Sequence, residues 1–354
     1  MSDLGKIDPE FFDEFLYPRL GATRDDVALG PKHGVDFGML DVDGTAVVLA
    51  TDPLSVLPDL GFERAGRFAL HIVLSDVAVS GLAPSHLAIS FSLPPEMSDR
   101  EFAELWAAID DEAEKLGIGI VTGHTARYTG CSFPWVGAAT ALAVGDHDDV
   151  VRPDGARPGD VVLVTKGPAV EATGLLTTLF GDRMALPEET LDEARNRLDE
   201  TRTVRDTRAI VDAVDASGAG DDSGDATDVG GVTAMHDATE GGLQGALCEV
   251  AGSAGVRLDV ERDAVPLRPG VAETCEYLDI DPWHATSSGT LVVTVAESAV
   301  DDVVSALQAR GTPVGVAGTV SAGEGVYLDG ERVEHPRVDP SWAVYEAFAE
   351  GESD

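Results

Sequence analysis

Residues 232–255 read VTAMHDATEGGLQGALCEVAGSAG, and this stretch decides the fold. A short apolar strand is expected over 232–235, ending at His236–Asp237, and a helix over 240–254. Thr239 is placed to cap that helix, whose apolar stripe is Leu243, Ala246, Leu247, Val250 and Ala251. Gly241 and Gly242 fall in its first turn, where glycine weakens a helix but permits close backbone approach. The N–H groups and positive dipole end there suit a phosphate. Asp237, just outside, could hold a cation bridging that phosphate. The same residues also describe an ordinary capped helix with a turn-forming aspartate.

Working outward, the pattern stays α/β. On the C-terminal side come strands over 290–295 and 314–320 and a helix over 300–309. Before the opening stretch lie a strand over 160–165, helices over 169–180 and 190–216, and a polar run, 217–231, that reads as a solvated surface loop. Residues 146–159 (DHDDVVRPDGARPG) are turn-rich and divide the chain into 1–150 and 151–354. In the first part an irregular lead-in, helical around 11–16, precedes strands over 45–51, 86–93, 118–121 and 135–144. Helices are expected over 63–80 and 99–116, the second with Ser98 and Glu101 as a capping box.

The candidate site residues are scattered. Asp76 sits in a run, 68–79, that is apolar nearly all round and therefore buried. A carboxylate there is expensive unless it is paired or binds a metal. GPKHGVD (30–36) brings Lys32, Gly34 and Asp36, and its glycines and Lys32 could approach phosphates, although no Walker loop is present. Thr51–Asp52 ends a strand, and VTGHT (121–125) runs a strand into Gly123–His124–Thr125. Asp36, Asp52, Asp76 and Asp237 together make a carboxylate set of the kind that magnesium shares with phosphates and water.

Composition excludes several classes. The chain carries 64 Asp and Glu against 24 Lys and Arg, a net charge of −40 over 354 residues, so it has no basic footprint for nucleic acid or an anionic membrane. Only Lys6, Lys32, Lys115 and Lys166 are lysines. A carboxylate-rich, lysine-poor surface is expected of a protein held in a high-salt cytoplasm. Cys131, Cys248 and Cys275 make no CxxC, so neither a zinc knuckle nor a disulfide framework is encoded. No secretory leader or membrane span is expected.

In sequence order, GPKHGVD, TDP, SDVAVSGLAP, TGHT, DATEGGLQGALCEVA and SSGTLVV (287–293) resemble the motif series of the superfamily containing aminoimidazole-ribonucleotide synthase, selenophosphate synthetase, thiamine-monophosphate kinase and HypE. The match spans about 20–330, with DATEGGL its most specific part, and looks closest to archaeal HypE-like members. The resemblance implies a homodimer whose N-terminal α/β domains pair into a shared barrel, with a C-terminal α/β domain closing over ATP. It implies ATP- and Mg2+-dependent phosphoryl transfer to, or dehydration of, a small polar acceptor. Thiamine-monophosphate kinase activity and a non-catalytic nucleotide-binding dimer are the alternatives.

Carried over by position, Asp36, Asp76 and Asp237 would ligate magnesium, with Asp52 assisting. Lys32, Gly34, Thr51, Gly123, Thr125, Thr239, Glu240, Gly241 and Gly242 would line the nucleotide. Ser75 stands where the family usually has Asn beside the acid. His124 stands where the family's Gly-Asp-Thr turn has its acid, and would serve as a neutral ligand or act near the acceptor. Val35–Asp36 replaces the paired acids of the kinases, and Asp25–Asp26 lies earlier. HypE carries its thiocarbamate on a terminal cysteine, whereas this sequence ends Gly351–Glu352–Ser353–Asp354, so HypE's own carbamoyl chemistry is not expected.

Overall fold

The computed structural model describes residues 7, 9–217 and 229–350. After a single turn, α1 (Pro9–Phe11), the first half builds β1 (Val27–Leu29), β2 (Gly38–Val42), β3 (Thr45–Ser55), α2 (Phe62–Ala78), β4 (Pro84–Leu93), α3 (Asp99–Leu116), β5 (Gly119–Arg127) and β6 (Trp135–Asp146). Its sheet runs β1-β2-β3-β6-β4-β5, antiparallel except for the β4–β5 pair that α3 connects. The second half contains β7 (Val161–Thr165), α4 (Val170–Phe180), α5 (Glu188–Arg195), α6 (Val204–Ser217), β8 (Val232–Asp237), α7 (Gly242–Ala254), β9 (Arg257–Val260), α8 (Val271–Leu278), β10 (Leu291–Val295), α9 (Val300–Ala309), β11 (Val314–Ser321), β12 (Gly325–Leu328), β13 (Glu331–Val333) and α10 (Pro340–Glu350). Its sheet runs β13-β12-β9-β11-β7-β10-β8. The α/β, two-sheet architecture expected from the sequence is the one present.

Helix α2 positions the site. Its side chains are apolar on nearly every face, so it is buried between layers: Leu70, Val73, Leu74 and Val77 share one core with Val48 and Ala141 of the first sheet and with Met235, Leu291 and Val293 of the second. Helix α3 is amphipathic instead. Ser98 accepts from the Glu101 N–H at 3.3 Å while Glu101 accepts from the Ser98 N–H at 2.7 Å, the expected capping box. Helix α7 covers the other face of the second sheet through Leu243, Leu247 and Val250.

Two sequence expectations differ from the structure, and several short strands were not expected at all. The helix expected over 190–216 is broken between α5 and α6, because Lys166 Nζ takes the carbonyls of Glu200 and Arg202 at 2.9 and 2.8 Å and a continuous ladder would need them. The short strands β1, β2, β9, β12 and β13 carried no readable alternation. Thr239 does not cap α7; Gly241 does, at φ 84°. The expected loop 217–231 lies outside the described residues between 218 and 228.

Candidate active site

Strand alternation sorts the chemistry at the end of β8. Ala234 packs on the α7 side and Met235 on the α2 side, so His236 points toward α7 and Asp237 toward α2. Both are 1% exposed. His236 Nε2 lies 3.3 Å from Glu249 Oε2 of α7, and its Nδ1 lies 2.9 Å from Asp36 Oδ2 and 3.9 Å from Asp237 Oδ1. Asp36 reaches this point because its loop presses on α7: a Cβ on Gly34 (φ +70°) would meet the Glu249 carbonyl oxygen at 2.5 Å. Only glycine allows that approach.

One imidazole among three carboxylates is an internal counter-ion. Burial alone would push His236 down, but Asp36, with Asp237 and Glu249, outweighs it and holds the ring well above its ordinary range. Asp36 is pushed up by burial and by Asp237 and Glu249, against the pull of His236.

Asp76 and Asp52 complete the cluster from the first domain. Asp76 is held well above the usual carboxylate range by burial first, then by Asp52, Asp237 and Asp36, and it shares a hydrogen bond with Asp52. Four aspartates scattered over 202 positions of sequence (36 to 237) therefore converge at the junction of the two domains. The buried Oδ2 atoms of Asp36 and Asp237 have no aligned hydrogen-bond partner, nor do the two nitrogens of His236. Asp36 and Asp237 each offer a ligand atom within 4.8 Å of the other, and His236, at the same spacing, could join them only as a neutral ring. Hard oxygen donors left unsatisfied in a repelling group suit a divalent cation.

Other residues singled out from the sequence lie elsewhere. Lys32 Nζ donates to the Ser253 carbonyl at 3.0 Å, near the C-terminal end of α7, about 16 Å along the helix from Gly242. Thr51 Oγ1 pairs with Thr140 Oγ1 at 2.8 Å on the sheet face opposite α2. His124 is on the edge strand β5, paired through Ser90 and Ala138 to Pro53, three strands or about 14 Å from β3. Its Nε2 lies 3.1 Å from the Tyr128 hydroxyl, and Gly123 and Thr125 flank it there. Thr239 and Glu240 are half-buried between β8 and α7.

The first turn of α7 is less open than its sequence suggests. The Gly241 N–H donates to Asp339 Oδ2 at 3.2 Å, the Gly242 N–H to the Thr239 carbonyl at 3.0 Å and the Gln244 N–H to the Trp283 carbonyl at 3.0 Å. Asp339 is itself buried and pushed up by that burial. His236, Glu249 and Asp339 are the residues that sequence reasoning missed. His236 and Glu249 had a signal, a histidine and a glutamate inside otherwise apolar runs; Asp339, about a hundred positions from its partner, had none.

The structure thus defines a two-domain α/β protein with a buried acid cluster built by both halves. Residues 34–144 match the AIR synthase related protein N-terminal domain and residues 157–331 its C-terminal domain. The chain belongs to the AIR synthase related family. It is 32% identical over 280 residues to the carbamoyl dehydratase HypE of Rhodobacter capsulatus, covering 75% of this chain and 72% of that protein. To HypE of Rhizobium leguminosarum bv. viciae it is 29% identical over 306 residues, covering 84% and 80%. Among solved structures it resembles HypE in complex with ATP (TM-score 0.65, 22% identity, 93% and 92% covered) and AaThiL complexed with AMPPCP and TMP (TM-score 0.67, 22% identity, 86% and 90% covered).

Proposed function

We propose that the protein is an ATP- and magnesium-dependent enzyme that transfers a phosphoryl group to, or thereby dehydrates, a small polar acceptor. The observation that carries this reading is the convergence of Asp36, Asp52, Asp76 and Asp237 at the domain junction. Curated relatives named carbamoyl dehydratase and a HypE structure holding ATP support it. In this reading Asp36, Asp76 and Asp237, with Asp52 assisting, hold magnesium, which would neutralise phosphate charge during transfer. The chain's own contribution is position and charge. His236 keeps Asp36 and Asp237 in place, and α2 keeps water from the Asp76 side. Thr239 to Gly242 present the backbone at which phosphate would compete with Asp339. Thiamine-monophosphate kinase activity is the lesser reading, since that likeness is one of fold at 22% identity.

A homodimer is part of the same proposal. The face of the first sheet away from α2 carries Leu40, Val47, Leu49 and Leu142, half-buried, with Val42 and Val144 about half exposed. Val42 and Val144 leave this face open to solvent among the described residues, and a second copy would cover it. Thr51 and His124 face that side, so pairing would bring them to an interface. The deciding test is turnover: purified protein in concentrated KCl with Mg·ATP should release ADP only when a suitable amide, carbamoyl compound or phosphate-ester acceptor is added. Saturable ATP binding without ADP release across the whole panel would leave a silent nucleotide-binding protein instead.

A further inference from the structure

A cavity of about 220 Å3 lies where the first half of α2 meets the segment between α5 and α6. Arg64, Arg67 and His71 line it from α2, and Asp199, Thr201 and Arg202 from the other side. In a chain with 24 cationic side chains against 64 acids, grouping three guanidiniums around one small space is unexpected. Like charges repel, and they are kept together where an anion joins them.

The acids nearby do not match them. Asp199 is shared by Arg64 at 3.8 Å and Arg202 at 3.4 Å, both long, and its side chain is 63% exposed. Among the described residues Arg67 pairs only with Glu63, at 2.7 Å and 72% exposed. Three cations thus face two solvated carboxylates. At the floor of the cavity His71 is 3% exposed; its Nε2 lies 3.1 Å from Glu112 Oε1, and its buried Nδ1 has no partner. His71 is pushed down by burial, and further by Arg202 and Arg205, against the pull of Glu112.

We propose that this cavity binds a small oxyanion, a phosphate or carboxylate group, held by the guanidinium forks of Arg64, Arg67 and Arg202 across the two domains. Guanidinium forks match both groups through paired N–H donors. The cavity is separate from the acid cluster, since none of the four aspartates lines it and its floor residue His71 lies five residues, about 7.5 Å, before Asp76 along α2. The inference therefore does not depend on the nucleotide reading.

The test is calorimetric titration of the full chain in KCl with inorganic phosphate and, separately, citrate, in the presence of Mg·AMPPCP and again with Asp237→Asn. One saturable site per chain is expected for at least one of the two ions, unchanged by Asp237→Asn; the ion that binds identifies phosphoryl or carboxylate as the natural group. Arg67→Gln and Arg202→Gln should each weaken binding about tenfold or more, the loss expected of one charge-assisted contact. Asp199→Asn, which removes the competing carboxylate, should tighten it. No saturable binding of either ion, binding that both arginine variants leave within about twofold, or weakening on Asp199→Asn would overturn the proposal. Arg67→Lys covers the case in which a glutamine variant does not fold: it keeps the charge and loses the fork, and should bind more weakly than the unaltered protein.

Discussion

Replacing His236 with glutamine removes the buried positive charge that contacts Asp36, Asp237 and Glu249 while keeping a side chain of similar size. The ring is 1% exposed, with Asp36 at 2.9 Å and Glu249 at 3.3 Å. Removing one partner from a buried ion pair costs about 3–5 kcal/mol, because the other charge stays behind uncompensated. Unfolding entropy of about 2.1 cal/mol/K per residue gives this chain roughly 0.74 kcal/mol/K, so the midpoint should fall by about 4–7 °C. Calorimetry in concentrated KCl with chelator present reads this directly. The double variant His236→Gln/Asp36→Asn should recover part of the loss, with a coupling of about 1 kcal/mol or more. His236 is raised above its ordinary 6.5, so its contribution is complete below pH 6.5 and fades as pH climbs through the folded value. That fading should be absent from the variant. A midpoint shift under about 1 °C, or strictly additive losses, would show that His236 is not the counter-ion of this cluster.

Asp76→Asn should act in the opposite direction. Its folded pKa is raised above 3.8, so ionised Asp76 works against the fold increasingly as pH rises through and beyond that value; the variant should melt higher in chelator and gain less from Mg2+, and a lower midpoint in chelator would contradict this. Gly34→Ala should cost about 1–3 kcal/mol, since the left-handed backbone is strained by a side chain and its Cβ meets the Glu249 carbonyl; an unchanged midpoint would mean the loop is not pinned to α7. Cys248 and Cys275 are pushed up to about 12, chiefly by burial, so a thiol reagent at about pH 8 should modify half-buried Cys131 first, and Cys131→Ser should lose the fast phase. Removing KCl should lower the midpoint through self-repulsion of the −40 chain, and equal stability at both salts would remove the high-salt reading of its charge.

How much was legible follows from the length scale of each signal. The core elements were readable because their periodicity lies within ten or so residues: α3 carries its cap and stripe in sequence, and β8 and α7 announce themselves in residues 232–255. The break between α5 and α6 was not readable, because it depends on the amine of Lys166 arriving from β7. Each acid is visible in the sequence by itself, but their convergence depends on α2 lying between the two sheets. The apolar context of Asp76 was itself the clue, since a carboxylate in a helix buried all round needs a partner. His124 illustrates the reverse. Its motif position suggested the site, while the strand order β6-β4-β5 carries it to the far edge.

The same geometry separates the few functional acids from the many that only solvate the surface. A surface carboxylate such as Asp110 is hydrated and screened, so its charge costs little and monovalent salt suffices for it. In the junction cluster, water is excluded and salt does not reach, so the repulsion registered at Asp76 must be answered locally. His236 answers part of it, for Asp36, Asp237 and Glu249. It lies on the α7 side of β8, whereas Asp76 and Asp52 lie on the α2 side with Asp237. The chain's own cation thus touches Asp36, Asp237 and Glu249 and leaves Asp76 and Asp52 to each other, and that pair is where a divalent ion gains most.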